Sequence, residues 1–205
     1  MPVKQTIPYQ FGSFFITFTC YRWLSLIKKV NGYDIIYNWF DILKSNGHFI
    51  NGFVVMPNHV HAIISFIESP QSINTIIGNG KRFMAYEIIK RLQQMGEIAL
   101  LAQLSRGVEP KRKAKKNYMK YGNCPSTGRN VTVMVSWIKS LTICPSERLR
   151  PGGHDNPCKG KWDLCTSPVE YAHSSARFYI EGLHASYPVT NFMDMDDEVF
   201  VKLDR

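Results

Sequence analysis

The chain has 205 residues, 44% hydrophobic and 13% aromatic, enough for one domain with a real core, and this excludes a disordered chain. No apolar run approaches the roughly 18 residues of a membrane-spanning helix, and MPVKQTIPYQ lacks the apolar stretch and cleavage site of a signal peptide, so a cytoplasmic address with no membrane partner is expected. The formal charge of +9 is local: residues 110–153 hold ten Lys or Arg against Glu147 alone, while the rest of the chain carries fifteen of each sign, so basicity is not a property of the whole fold.

Ser13–Cys20 alternates, with Phe14, Ile16 and Phe18 on one face, and predicts a first strand. Asn31–Ser45 follows with Ile35, Ile36, Trp39, Phe40 and Leu43 at helical spacing, and Asn46-Gly47 is a stop. The stretch Phe49–Phe66 predicts a hairpin, with Pro57 pre-set for the turn between Phe53–Met56 and His59–Phe66. Ser72 is placed to cap a long helix running to Met95. Gly78 and Gly80 lie inside that helix and point to close packing or to approach by a DNA backbone. Strand, helix, hairpin and helix need one more strand to complete a β-α-β-β-α-β sheet of ferredoxin-like α+β type.

Within the hairpin, alternation sends His59, His61, Ile63 and Ser65 to one face and Val60, Ala62, Ile64 and Phe66 to the other. Two imidazoles one pleat apart can share one metal ion. The alternative is an edge strand with two solvent-facing histidines. Five cysteines (Cys20, Cys124, Cys144, Cys158, Cys165) are odd in number and form no C-x-x-C, so neither a disulfide framework nor a cysteine-zinc site is indicated.

FVVMPNHVHAII resembles the histidine-hydrophobic-histidine (HUH) motif of IS200-like single-tyrosine transposases, most closely the REP-associated tyrosine transposases. The resemblance covers about residues 5–104 and resumes near His154–Tyr187. It implies a ferredoxin-like sheet with helices on one face and a C-terminal helical extension. It also implies a divalent metal, Mg2+ or Mn2+, on His59 and His61, with Asn156 in the position of a third ligand. The partner implied is single-stranded or hairpin DNA, with Lys81 and Arg82 as candidate contacts, and the family acts as monomers or homodimers. The chemistry implied is DNA cleavage and strand transfer through a phosphotyrosine intermediate.

The organisation expected is a core at 1–110, a disrupted and poorly ordered segment at 111–153, and a C-terminal part of the same domain at 154–205. KRKAKK at Lys111–Lys116 is a linker or a phosphate-binding loop, and VTVMVSWI at Val131–Ile138 is the only strand-like run in the segment. Pro145, Pro151, Gly152 and Gly153 break any helix where the resemblance places the tyrosine helix. A one-nucleotide displacement of the reading frame accounts for this. With compatible codons, Tyr121 to Thr127 re-reads as Val-Trp-Glu-Leu-Ser-Phe-Asp, and Lys139 to Cys144 as Gln-Lys-Leu-Asp-Tyr-Met. The nucleophile belongs four residues before Asn156, where Gly152 stands, so this copy is expected to be inactive. Tyr171 and Tyr179 are the substitute nucleophiles, each weighed against a packed tyrosine with a wet hydroxyl. His173 and His184 are read as surface residues, and DMDDE (Asp194–Glu198) as a solvated acidic end. The alternatives to a strand-transfer enzyme are a non-catalytic DNA hairpin-binding module and the product of a decayed mobile-element gene.

Overall fold

Along strand β1 (Gly12–Thr19), Phe14, Ile16 and Phe18 are buried while Phe15 and Thr17 are partly exposed, the period of two that the sequence carries. The computed structural model describes residues 7, 9–107, 129–130 and 162–195. Strand β2 (Phe49–Met56) and strand β3 (His59–Phe66) form the hairpin, and β3 pairs antiparallel with β1 along its whole length. A two-residue strand, β4 (Arg129–Asn130), pairs with β1 at Phe14 and Phe15. The order β2-β3-β1-β4, antiparallel throughout, is that of a ferredoxin-like α+β sheet. The fourth strand thus falls just before the Val131–Ile138 run. Residues 131–138, both re-read stretches and, β4 apart, the expectation for 111–153 lie outside the described residues.

Among the described residues ahead of β4, the helices are α1 (Leu26–Lys29), α2 (Tyr33–Ser45), α3 (Ile73–Gln94) and α4 (Ile98–Arg106). The apolar stripe of α2, Ile35, Ile36, Trp39, Phe40 and Leu43, is buried as its spacing predicts. Ser72 caps α3 by accepting from the Thr75 amide at 3.3 Å. Helix α4 lies beyond the periodicity that ends at Met95 and was not anticipated. A Cβ on Gly80 would stand 2.2 Å from Trp39 Nε1, so α3 lies with its backbone against the indole of α2; a Cβ on Gly78 would meet nothing within 4 Å. Close packing therefore accounts for Gly80 and not for Gly78. Arg91, near the end of α3, donates to the Asp34 carboxylate and the Asn31 carbonyl, tying it to the start of α2.

The main core lies between these helices and one face of the sheet, where Phe14, Ile16, Phe18, Phe53, Val55, Val60, Ala62, Ile64 and Phe66 point. The second face is covered as well: all eight residues of β3 are buried. This corrects the edge-strand alternative for the two histidines. Strand β3 sits between β2 and β1, and His59 and His61 are only 1% and 7% exposed.

The outer edge of β2 is closed by the C-terminal part of the chain. The Val55 amide donates to the His173 carbonyl at 2.8 Å, the Ser175 amide to the Phe53 carbonyl at 2.9 Å, and Val54 and Ser174 form an antiparallel bridge. An uncovered edge strand would present unpaired backbone groups to other chains. A short helix, α5 (Ala176–Glu181), follows the bridge. Tyr187 then returns to α2, donating to Asp41 at 2.7 Å and stacking on Tyr37 with centroids 5.3 Å apart. The surface reading of His173 is corrected by the same region. Its ring is half-buried, stacks on Tyr33 at 3.5 Å and is hydrogen-bonded through Nδ1 to the Tyr37 hydroxyl at 2.8 Å. His184 is exposed, as expected, with its ring stacked on Phe178.

Candidate metal and nucleic-acid site

His59 and His61 lie side by side on the second face of the sheet, ring centroids 4.8 Å apart and nearly perpendicular. Each is placed by strand register: His59 stands between Thr19 and Met56, and His61 between Thr17 and Val54. The Nδ1 atom of each ring is engaged by a protein group. His59 Nδ1 lies 2.6 Å from Asn58 Oδ1, and His61 Nδ1 lies 2.9 Å from Thr17 Oγ1.

The first of these contacts fixes a tautomer. Asn58 Nδ2 donates to the Trp23 carbonyl at 2.9 Å, which orients the amide so that Oδ1 faces His59. An amide oxygen only accepts, so His59 Nδ1 carries the proton and Nε2 carries the lone pair. The Thr17 hydroxyl can accept from His61 Nδ1 or donate to it, so this contact orients the second ring without fixing its tautomer. A side chain holding one ring nitrogen while the other faces a ligand is the usual arrangement around metal-bound histidines. Both Nε2 atoms are buried.

The walls of the site come from three elements. On the β1 side the Phe15 ring stacks on His61, centroids 5.3 Å apart. On the β2 side Val54 and Met56 pack with Tyr171, Trp162, Leu164 and Cys165. At the turn end the exposed Trp23 ring meets His59 edge-on at 5.6 Å. Trp23 and its neighbour Arg22 have φ of 57° and 50°, a left-handed conformation that costs about 1–2 kcal/mol per ordinary residue. The loop is held there by the Asn58–Trp23 bond and by the Cys20 amide donating to the Asn58 carbonyl at 2.8 Å. Farther along the same face, Ser13, Ser65 and Asn51 form a buried hydrogen-bonded chain, and Asn51 also donates to the Thr190 carbonyl. That end of the face is filled by protein.

Both candidate tyrosines direct their hydroxyls at backbone carbonyls of β2. Tyr171 follows a single 3-10 turn (Pro168–Glu170) rather than sitting on a helix, and its buried hydroxyl donates to the Val55 carbonyl at 2.7 Å. Tyr179 lies on α5, with its hydroxyl donating to the Asn51 carbonyl. The Tyr171 hydroxyl is buried and not wet, which corrects that part of the packed-tyrosine reading for Tyr171. Burial raises both phenols, Tyr179 to about 12 and Tyr171 further. The Lys81 amine lies 5.3 Å from the Phe18 ring centroid, over a residue of the helix-covered face, and Arg82 is exposed and bonded to Asn79 at 2.9 Å. Asn156 lies outside the described residues, and among those described no group of three or more His, Cys, Asp or Glu gathers. Sequence reasoning missed Asn58 and Trp23. The Pro-Asn pair before His59 was the available signal for Asn58, but turn chemistry already explained it.

A ferredoxin-like α+β sheet with a buried, ring-held histidine pair on its second face defines the class of this protein by structure. No family model matches the chain, and no curated protein matches it. Among solved structures, a REP-associated tyrosine transposase bound to a REP hairpin is similar, with a TM-score of 0.51 and 15% identity over 93% of each chain. The likeness is one of fold. No helix among the described residues is long and apolar enough to cross a membrane.

Proposed function

We propose that this chain is a transposase-family DNA-binding protein that holds a divalent cation, Mg2+ or Mn2+, on His59 and His61 against a phosphodiester of single-stranded or hairpin DNA, in a copy that has lost its covalent step. The observation that carries the reading is the histidine pair with each Nδ1 engaged, His59 by Asn58 and His61 by Thr17. The donor set fits such an ion: two imidazoles whose Nε2 atoms lie on one face, with Asn156 as a third, oxygen ligand by its place in the sequence pattern. A cation bound there supplies Lewis-acid polarisation of a phosphoryl oxygen. The protein's own contribution is to fix both rings, limit water with Phe15 and the Tyr171 cluster, and place the strand on this face.

Strand transfer also needs a nucleophile that stores the phosphodiester bond, and among the described residues neither substitute tyrosine offers one. Gly152 stands where the tyrosine belongs. Tyr171 and Tyr179 spend their hydroxyl protons on backbone carbonyls, and burial disfavours the phenolate in both. This favours binding without covalent chemistry.

The test is a fluorescence-anisotropy titration with a DNA hairpin bearing single-stranded flanks, with and without MnCl2, followed by a denaturing gel. Binding strengthened by Mn2+, weakened in His59→Gln and His61→Gln, and leaving no adduct is the expected result. Binding indifferent to Mn2+ and to both substitutions would overturn the metal assignment, and a covalent adduct would overturn the loss of chemistry.

A further inference from the structure

We propose that Asn58 couples a cation held on His59 to the conformation of residues 20–24, so that occupancy of the histidine pair sets the shape of the loop at its mouth. The inference rests on the metal reading above and concerns this chain's own residues. Its basis is one continuous path. His59 Nδ1 donates to Asn58 Oδ1 at 2.6 Å, and Asn58 Nδ2 donates to the Trp23 carbonyl at 2.9 Å. A single planar amide therefore accepts from the ring with one atom and holds the loop with the other.

The loop has a reason to respond. Arg22 and Trp23 are consecutive left-handed residues, a conformation that ordinary residues keep only when their surroundings impose it. The hairpin turn takes part in that constraint. Besides the side-chain bond, the Cys20 amide donates to the Asn58 carbonyl at 2.8 Å, and the Lys28 amide to the Pro57 carbonyl at 3.2 Å. The Trp23 ring also meets the His59 ring directly, centroids 5.6 Å apart.

The chemistry of the path gives the sign of the coupling. A cation on Nε2 draws electron density from the imidazole and makes Nδ1–H a stronger donor to Asn58. An amide whose oxygen accepts a stronger bond is itself polarised, so its N–H holds the Trp23 carbonyl more tightly. Both bonds strengthen together, and the left-handed turn is stabilised. By linkage, a loop already fixed raises the affinity for the cation by the same factor.

The experiment reads hydrogen exchange at the Trp23 and Leu24 amides, which donate to the Cys20 and Tyr21 carbonyls and so report on the turn itself. Exchange is followed by mass spectrometry with and without saturating MnCl2, and calorimetry measures Mn2+ binding in parallel. In the wild type, Mn2+ should slow exchange at these amides about fivefold or more. Asn58→Asp keeps an oxygen for His59 Nδ1 but offers the Trp23 carbonyl no donor, so it should bind Mn2+ and lose the slowing. If that variant does not melt cooperatively or does not bind, Asn58→Ala at saturating MnCl2 stands in for it and should also show no slowing. Mn2+ bound by the wild type with loop exchange unchanged, or slowed equally in the variant, would overturn this inference and leave the function reading intact. Failure of the wild-type chain to bind Mn2+ would overturn both.

Discussion

Trp39 Nε1 occupies the space that a Cβ on Gly80 would need, 2.2 Å from it, so α2 and α3 meet through an indole laid on bare backbone. The contact is made by the ring and the helix main chain, which cannot move apart without opening the core. Gly80→Ala should therefore destabilise the protein by about 1–3 kcal/mol, as overpacking does. Gly78→Ala, in open space on the same helix, should stabilise it by up to about 1 kcal/mol. Urea denaturation midpoints of the two variants give the comparison, and a shift of the same sign in both would contradict the packing described.

Asn58→Ala should weaken binding of Mn2+ roughly tenfold to a hundredfold without removing either imidazole. The side chain lost is the one that sets the His59 tautomer and holds the Trp23 loop. Calorimetric titration with MnCl2 measures it. Unchanged affinity in a folded variant would mean that the ring orientation does not depend on this amide.

Tyr171→Phe and Tyr179→Phe should change stability and not chemistry. Each removes a hydroxyl that donates to a carbonyl of β2, worth about 1 kcal/mol. A denaturing gel after incubation with hairpin DNA and MnCl2 should show no adduct from the wild type or from either variant. An adduct from the wild type that Tyr171→Phe abolishes would identify that residue as a nucleophile. Gly152→Tyr alone should also give no adduct.

Stability should fall on both sides of neutral pH. Tyr37, Tyr171, Tyr179 and Tyr187 all have phenols raised above the usual 10 by burial, Tyr37 and Tyr179 to about 12. Above pH 10 the unfolded chain releases protons that the folded one keeps, so stability is lost as pH climbs from about 10 through 12. His48 and His173 have imidazoles held below the usual 6.5 by burial. The unfolded chain therefore takes up protons first as pH drops through 6.5, and stability is lost in that direction too. Melting temperatures across pH 5 to 11 should show a plateau between these limits; a midpoint still rising above pH 10 would exclude the phenol contribution.

The local parts of this fold were legible because their apolar spacing is local. Phe14, Ile16 and Phe18 alternate within one strand, and Ile35 to Leu43 recur within one helix. The facing of His59 and His61 followed from the same alternation. What covers that face did not, because Phe15 and Trp23 beside the two histidines and Tyr171 beside Val54 and Met56 come from separate places in the chain. The role of His173 was hidden for a similar reason. A histidine in a mixed-polarity stretch carries no mark of the Tyr33 and Tyr37 rings that receive it from more than a hundred residues away. Asn58 was readable as a turn residue and not as a ring holder, since one side chain can serve both purposes.

The bridge between Val54 and Ser174 sets an order of events during synthesis. By the time the ribosome has made the first three strands and α3, those elements have what they need to collapse, yet the rim of β2 remains open. It stays open until residues 173–175 have left the exit tunnel, after the whole Pro- and Gly-broken basic stretch has been translated. Domains generally begin folding before synthesis ends, and an exposed strand is the part of a nascent chain most prone to recruit another. The translation speed of residues 108–161, whatever their sequence contributes afterwards, therefore sets how long each new molecule carries a sticky edge.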